Sequence, residues 1–438
     1  MPVEVDIYAK RNTARLNYTL GFVFDELFQI PWTFYSDRDT FEKAEAGIRI
    51  NYSSEEIRAA YRIHPHELLF ETEIFEQQIT KSEWETLPVF FTVKARSELP
   101  FDPLAATFYC ISRYEEYLPF VPDLHGRFPA EQSFAFKNDL LKRPLVNEWW
   151  KAISAKWEKA FSLPSIPTAD FRFISTVDVD NSFAFKGKGP VRTLSATIRD
   201  IYRIDIDTLR RRWRTFTGHE PDPFDNYDSE MELAEERGFR LIYFVLYSEL
   251  SPYDRNISRF SQTLRSSIRH IADFAELGIH PSYRSSLEPE RMQEEHRGME
   301  EIARRKINLS RQHYLRFRLP QTYRSLIELG ITDEFSMGYA RATGWRASTC
   351  TPFRFYDLEV EEARDLIVHP FPFMDSVYQD YLQLGPEEAL REMMLFAKQC
   401  KELGGELVSV MHNRNFGDLL PEAKGWNECY HRLLDEVL

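Results

Sequence analysis

The sequence predicts an α/β protein in two parts: a smaller α/β domain over residues 1–167, then a closed or nearly closed barrel of seven parallel strands over residues 168–438. Three observations carry that expectation. At 438 residues the chain exceeds the size at which one hydrophobic core keeps growing, so two domains are the starting point. A proline-marked linker at Pro164 and Pro167 separates two different patterns. Beyond it, short apolar runs alternate with helical stretches, which implies parallel strands joined by right-handed crossovers.

In the first part, the runs Gly47–Ile50 and Val89–Val93 read as strands, with a helix from about Pro103 to Tyr117. The adjacent opposite charges of Arg113, Glu115 and Glu116 read as an amphipathic helix with a paired Arg113 rather than as catalytic groups. The segment His125-Gly126-Arg127-Phe128 follows. In the second part the candidate strands are Phe171–Val177, Leu241–Tyr247, Gly278–His280, Lys306–Ser310, Trp345–Thr349, Leu366–Val368 and Glu406–Met411. Between the first two lies a charged insertion, about residues 187–228, too long for an ordinary crossover and expected to lie over one rim of the barrel. Its basic run, Arg210-Arg211-Arg212-Trp213-Arg214, shares a helical pattern with Ile204, Ile206 and Leu209 and reads as a solvated helix face. No internal repeat is evident.

Composition narrows the class. Charged residues at 28% and apolar residues at 43% exclude disorder and collagen-like structure. Aromatics at 14% suit large cores or a surface that stacks on sugars. A net charge of −14 repels phosphate backbones and anionic membrane surfaces, so nucleic acid is not an expected partner. The four cysteines, Cys110, Cys350, Cys400 and Cys429, form no CxxC pair and fit a reducing compartment. The N-terminal residues hold no apolar signal core, and no uninterrupted apolar stretch reaches about 18 residues; no membrane span and a cytoplasmic location are expected. No G-x-S-x-G elbow, P-loop or G-x-G-x-x-G is present.

The chemistry is expected at the C-terminal ends of strands, where parallel barrels build their sites. One run ends in Asp178-Val179-Asp180-Asn181, another in His280, a third in Ser310-Arg311-Gln312-His313 and a fourth in His412-Asn413. Two carboxylates beside a divalent cation can divide the work, one binding the metal and the other accepting a proton from water. Read alone, the aspartates also fit a solvated turn, and His280 or His412 a hydrogen-bonded packing residue. Arg311 can pin a carboxylate, His313 can supply a ligand, and His412 is a candidate general acid. Asp375, in Pro370-Phe371-Pro372-Phe373-Met374-Asp375, reads as a groove residue or a helix cap, with the cap favoured.

With these residues in order, residues 168–438 resemble the polysaccharide deacetylase family, the NodB-homology domain of carbohydrate esterase family 4, and the whole chain resembles its bacterial branch with an extra N-terminal domain. The resemblance implies a distorted (β/α)7 barrel. Thr176-Val177-Asp178-Val179-Asp180 is similar to the family's Thr-Phe-Asp-Asp-Gly motif, implying Asp178 as base and Asp180 as metal ligand. Gly278-Ile279-His280-Pro281-Ser282-Tyr283 resembles the second motif, whose first histidine binds metal. Ser310-Arg311-Gln312-His313-Tyr314 resembles the motif carrying a groove aromatic and an arginine that orients the base, and Met411-His412-Asn413 the one whose histidine protonates the leaving group. The runs from Ser336, Gly344 and Pro352 resemble that branch's own signature, as do Ser112–Tyr117 and His125–Phe128. The second motif's further histidine stands four residues after the first, where this chain has Arg284, and a protonated guanidinium does not bind metal. His313 would restore the set from the next strand.

The implied activity is metal-dependent removal of an N- or O-acetyl group from a sugar or oligosaccharide. It would use Asp180, His280 and His313 as ligands, Asp178, His412 and Arg311 as catalytic residues, and Tyr314, Tyr283, Ser285, Trp345 and Asp375 toward substrate. The metal would be divalent, zinc first, with cobalt, manganese or nickel as alternatives. Two other readings stand beside it: a catalytically silent carbohydrate-binding or scaffold protein, and a hydrolase of another small-molecule C–N bond.

Overall fold

The structure is a computed structural model and describes residues 3–417 and 419–438. Near the N-terminus, β1 (Val5–Tyr8), β2 (Trp32–Tyr35), β3 (Ile48–Asn51) and β4 (Tyr61–Arg62) form a parallel sheet in the order β2-β1-β3-β4. A hairpin follows, β5 (Ser82–Trp84) with β6 (Leu87–Val89). The expected strand at Val89–Val93 therefore ends at its first residue; Phe90 and Phe91 are buried in irregular backbone, Phe91 with φ 57°.

The next helix starts where its cap dictates. Asp102 accepts from the amides of Leu104 (2.9 Å) and Ala105 (3.1 Å), and Pro103 occupies the first turn, where its missing N–H costs nothing. It stops at Ile111, short of the expected Tyr117, because Arg113 turns into the left-handed region at φ 54°. Arg113 Nε donates to Glu116 Oε1 at 2.8 Å, and Arg346 from the C-terminal part grips the same carboxylate at 2.8 and 2.6 Å. This buried cluster ties the two parts together. The helix Leu145–Phe161 buries Trp149, Trp150 and Trp157, and the apolar core runs unbroken from β1 to the C-terminal helix.

The main sheet has eight strands: β7 (Arg172–Val179), β8 (Arg240–Val245), β9 (Glu276–Ile279), β10 (Leu309–Ser310), β11 (Asp333–Met337), β12 (Phe353–Asp357), β13 (Glu362–Pro370) and β14 (Glu406–His412). Their order is β12-β13-β11-β10-β9-β8-β7-β14; all pairings are parallel except that of β12 with β13. One expected strand is corrected. Trp345–Thr349 lies in turns, with Trp345 buried and its amide donating to Leu141 O at 2.7 Å, whereas the fifth parallel strand is Asp333–Met337. Its polar residues hid it: Glu334 is buried but satisfied by Tyr323 Oη at 2.8 Å and by Ser336. Among the described residues the ladder does not close on itself. On the β14 side of the gap after β13, the only backbone pairing among the described residues is an isolated bridge of Met374 with Val410.

Across the same gap, buried His369 joins three strands, its Nδ1 on Glu406 Oε2 (2.7 Å) and its Nε2 on Asp333 Oδ1 (2.9 Å). Burial alone would lower its pKa, but the two carboxylates outweigh it and raise it. A raised pKa gives stability that is present in full below about pH 6.5 and is lost as pH rises through the folded value. His369→Gln should therefore cost about 3 kcal/mol near pH 6 and distinctly less at alkaline pH. Denaturant unfolding of both proteins across that range checks this; a cost independent of pH would contradict it.

The insertion forms two helices, Gly189–Tyr202 and Ile206–Phe216. Its return is pinned by buried Asp222, which accepts from the amides of Ala184, Phe185 and Lys186 at 2.6, 2.8 and 3.0 Å. Among the described residues, no helix is long and apolar enough to cross a membrane, and all four cysteines are free and buried.

Candidate active site

The register of the central strands makes the site. In the β7–β14 pairing His412 lies opposite Asp178, and the neighbouring strands β9 and β10 end in His280 and in Arg311-Gln312-His313. Asp180 follows the end of β7. These ends face a cavity of about 370 Å³ lined by Asp178, Asp180, His280, Gln312, His313 and His412 among others.

Asp180 Oδ1 sits 3.2 Å from His280 Nε2 and 3.5 Å from His313 Nε2. The ligand atoms of these three residues lie within 4.8 Å of one another. Each imidazole is oriented from behind. His280 Nδ1 lies 2.6 Å from the carbonyl of Arg311, which only accepts, so Nδ1 carries the proton. His313 Nδ1 lies 2.9 Å from Asp254 Oδ1, and Asp254 is buried and held by the Tyr283 amide (2.9 Å) and by Ser251. A histidine donating from one nitrogen presents a lone pair at the other, the arrangement found behind metal-bound imidazoles. Asp180 Oδ1 is buried yet has no hydrogen-bond partner. An orphaned carboxylate oxygen facing two imidazole nitrogens suits a divalent cation, and the mixed N/O donor set suits zinc or a similar ion. Burial acts to raise the pKa of Asp180, but His313, His280 and His412 overcome it and leave the carboxyl well below its usual range. Arg284, at the position where the family pattern has a histidine, is exposed and takes no part.

On one side stands Asp178. Arg311 Nη1 donates to its Oδ1 at 2.8 Å and to Thr176 Oγ1 at 2.6 Å, while Nε donates to Phe335 O at 2.9 Å. Arg311 is fully buried, with its guanidinium over the Phe244 ring at 4.6 Å. Gly278 makes room for that ring, since a Cβ there would overlap Phe244. On the other side, His412 Nε2 lies 3.5 Å from Asp180 Oδ2, and its Nδ1 is 2.6 Å from Asp375 Oδ1. Burial would depress the His412 pKa, but Asp375 and Asp180 raise it to about 10, so the ring carries a proton at neutral pH.

The structure brings Asp178, Asp180, His280, Arg311, His313 and His412 together, and Tyr314 lines the cavity at φ 60°. Other expected substrate contacts are not brought there. Trp345 is buried against Phe396 away from the cavity, because the strand that would have delivered it does not exist. Ser285 is buried and spends its hydroxyl on Ser282 O at 2.6 Å. Tyr283 stands one layer back, stacked on Tyr253 at 4.1 Å. Asp375 does not line the cavity: it is fully buried at the head of the helical segment that runs to Leu382, and it accepts from the Ser376 amide as well as from the His412 ring, the His412 amide and Asn415. The N-terminal part also reaches the site. Arg127 lines the cavity and donates to Tyr314 O at 2.6 Å, and the His125 ring packs on Tyr314 with centroids 5.1 Å apart.

The sequence reading missed Asp254, Tyr253 and Arg255, in the loop after β8, and Asp380, Tyr381 and Arg414 on the cavity wall. The strand-end rule extended to Leu241–Tyr247 would have reached Ser251-Pro252-Tyr253-Asp254. Nothing in the spacing points to residues 380–381.

Sequence comparison matches residues 5–162 to a family of unknown function, DUF7033, and finds no curated protein similar to the chain. Among solved structures, a protein described as a polysaccharide deacetylase from Mycobacterium smegmatis is similar over 61% of this chain and 84% of its own, at 15% identity and a TM-score of 0.39. One described in the same way from Pseudomonas aeruginosa covers the same shares at 13% identity and 0.38. A carbohydrate esterase family 4 pseudoenzyme from Bacillus anthracis shares 9% identity over 61% of this chain and 62% of its own, at 0.30.

Proposed function

We propose that the chain is a metal-dependent hydrolase that removes an acetyl group, N- or O-linked, from a sugar or oligosaccharide. The observation that carries this reading is the convergence of Asp180 Oδ1, His280 Nε2 and His313 Nε2 between the Asp178–Arg311 pair and the His412–Asp375 pair. The motifs of residues 168–438 support it, and the same reading divides the chain at residue 167. Asp180, His280 and His313 would hold a divalent ion, zinc first, which would supply Lewis acidity toward water and the acyl carbonyl. Asp178, fixed by Arg311, takes the proton as the water oxygen attacks the carbonyl carbon. His412 then gives its proton to the departing nitrogen or oxygen as the acyl bond breaks, releasing acetate and the free amine or hydroxyl. Tyr314 and Tyr253 offer stacking faces for sugar rings beside the reacting centre.

The direct test is acetate release from N-acetylated and O-acetylated glucosamine oligosaccharides by the zinc-loaded chain. Release that a chelator stops and zinc restores is expected. A metal-loaded protein inert on both series would contradict the reading.

Asp375 positions His412 and holds its proton. Asp375→Asn removes the charge that raises the His412 pKa, so the proton donor is lost at lower pH. The alkaline limb of the kcat profile should shift to lower pH; an unmoved limb would rule out this role.

A further inference from the structure

The two insertion helices are amphipathic the wrong way round for a surface packed on this protein. In the helix Gly189–Tyr202, Val191, Leu194, Ile198 and Ile201 recur at spacings of three, four and three, one continuous stripe. They are 57–75% exposed. In the helix Ile206–Phe216 the stripe continues with Ile206, Trp213 and Phe216, 49–70% exposed, and the connecting turn adds Tyr202 and Ile204 at 89% and 77%. The faces turned inward are polar: Asp200 and Arg212 are buried and paired, and the Arg212 guanidinium lies over Phe185 at 4.6 Å. Water gives no reason for an ordered hairpin to hold its apolar stripes outward.

Charge identifies what does. Residues 186–214 hold nine Lys or Arg against three Asp, inside a chain of net charge −14. Arg199, Arg203 and Arg210 are among the exposed ones. An apolar stripe bearing a tryptophan and bordered by arginines matches an anionic lipid surface, with headgroups for the cations and acyl chains for the stripe. A 14-residue helix is about 21 Å long, short of the roughly 30 Å hydrocarbon core, so it suits lying in the interface rather than spanning it.

We infer that the hairpin 189–216 docks this protein on an anionic membrane leaflet. The same hairpin is anchored at the cavity's rim. Arg192 donates to the carbonyls of Asn256 (3.0 Å) and Arg255 (2.7 Å), and Arg255 lines the cavity. At its root, Asn413 Nδ2 donates to Asn181 O at 3.0 Å and Phe224 O at 3.2 Å, beside Asp180 and His412. Docking therefore holds the site close to the lipid surface, where an acetylated saccharide carried on a lipid would be met. That last clause rests on the proposed function; the docking does not.

Vesicle flotation of the full chain tests it. Vesicles of equal parts phosphatidylglycerol and phosphatidylcholine should bind the protein at least about tenfold more strongly than phosphatidylcholine alone, and less so as salt rises. The double variant Leu194→Gln/Ile198→Gln, and separately Arg203→Glu/Arg210→Glu, should each lose about tenfold, as expected where apolar burial and headgroup attraction both contribute. His313→Ala should float like the unaltered protein, which separates this result from the fate of the proposed activity. No flotation, flotation indifferent to lipid charge, or variants that float unchanged would overturn the inference. So would concentration-dependent self-association that the same substitutions abolish without vesicles, since a second copy would then be the occupant.

Discussion

His313→Ala should lose tight binding of a divalent metal. Among the described residues three donor atoms converge, and His313 Nε2 is one of two nitrogens facing Asp180 Oδ1. Removing it leaves one histidine and one carboxylate, too few to hold zinc against water in a tetrahedral site. A graded comparison sharpens the expectation. Asp254→Asn keeps the ring but weakens the acceptor behind it, and loss of such a partner typically costs about 10–100-fold in affinity. His313→Ala should cost more than that. Competition titration with a chromogenic chelator measures both, and equal affinity in all three proteins would remove His313 from the ligand set.

The second large effect belongs to Asp178. Asp178→Asn preserves shape and can still accept from Arg311, which Thr176 and Phe335 also hold, but an amide cannot take a proton from water. Turnover should fall by about 10²–10⁴-fold, the contribution of a general base. Metal affinity should stay close to that of the unaltered chain, because Asp178 is outside the donor set. Unchanged turnover would sink the assignment of the base.

How much of this was legible in the sequence follows from physics rather than from luck. Strands β7, β8 and β14 are apolar runs buried on both faces, and a parallel sheet covered on both sides writes itself that way. β11 did not, because its buried Glu334 is satisfied by the Tyr323 hydroxyl of the preceding helix as well as by Ser336, a tertiary contact that local hydropathy does not carry. Trp345–Thr349 misled for the reverse reason: its apolar residues are buried by packing on residue 141 and the helix Pro386–Leu403, not by a ladder.

The site divides similarly. Residues at the ends of apolar runs were found by position. Asp254 and Arg127 were not, since Asp254 lies nine residues past the end of β8 and Arg127 in a different part of the chain. His369 is the useful counterexample: a histidine at a strand end whose two carboxylate partners make it structural, so strand-end position alone does not mark a ligand. Arg284 makes the converse point. A broken motif reads as a lost ligand only until the fold supplies another imidazole, and here residue 284 is exposed while His313 faces Asp180.

The most direct test of the central claim is an anomalous difference map from crystals of the zinc-loaded full chain, recorded on either side of the zinc edge. One strong peak is expected, bonded to Asp180 Oδ1, His280 Nε2 and His313 Nε2, with Asp178 outside the coordination sphere and His412 still paired with Asp375. No peak in that triangle, or an ion held by a different set of residues, would contradict it.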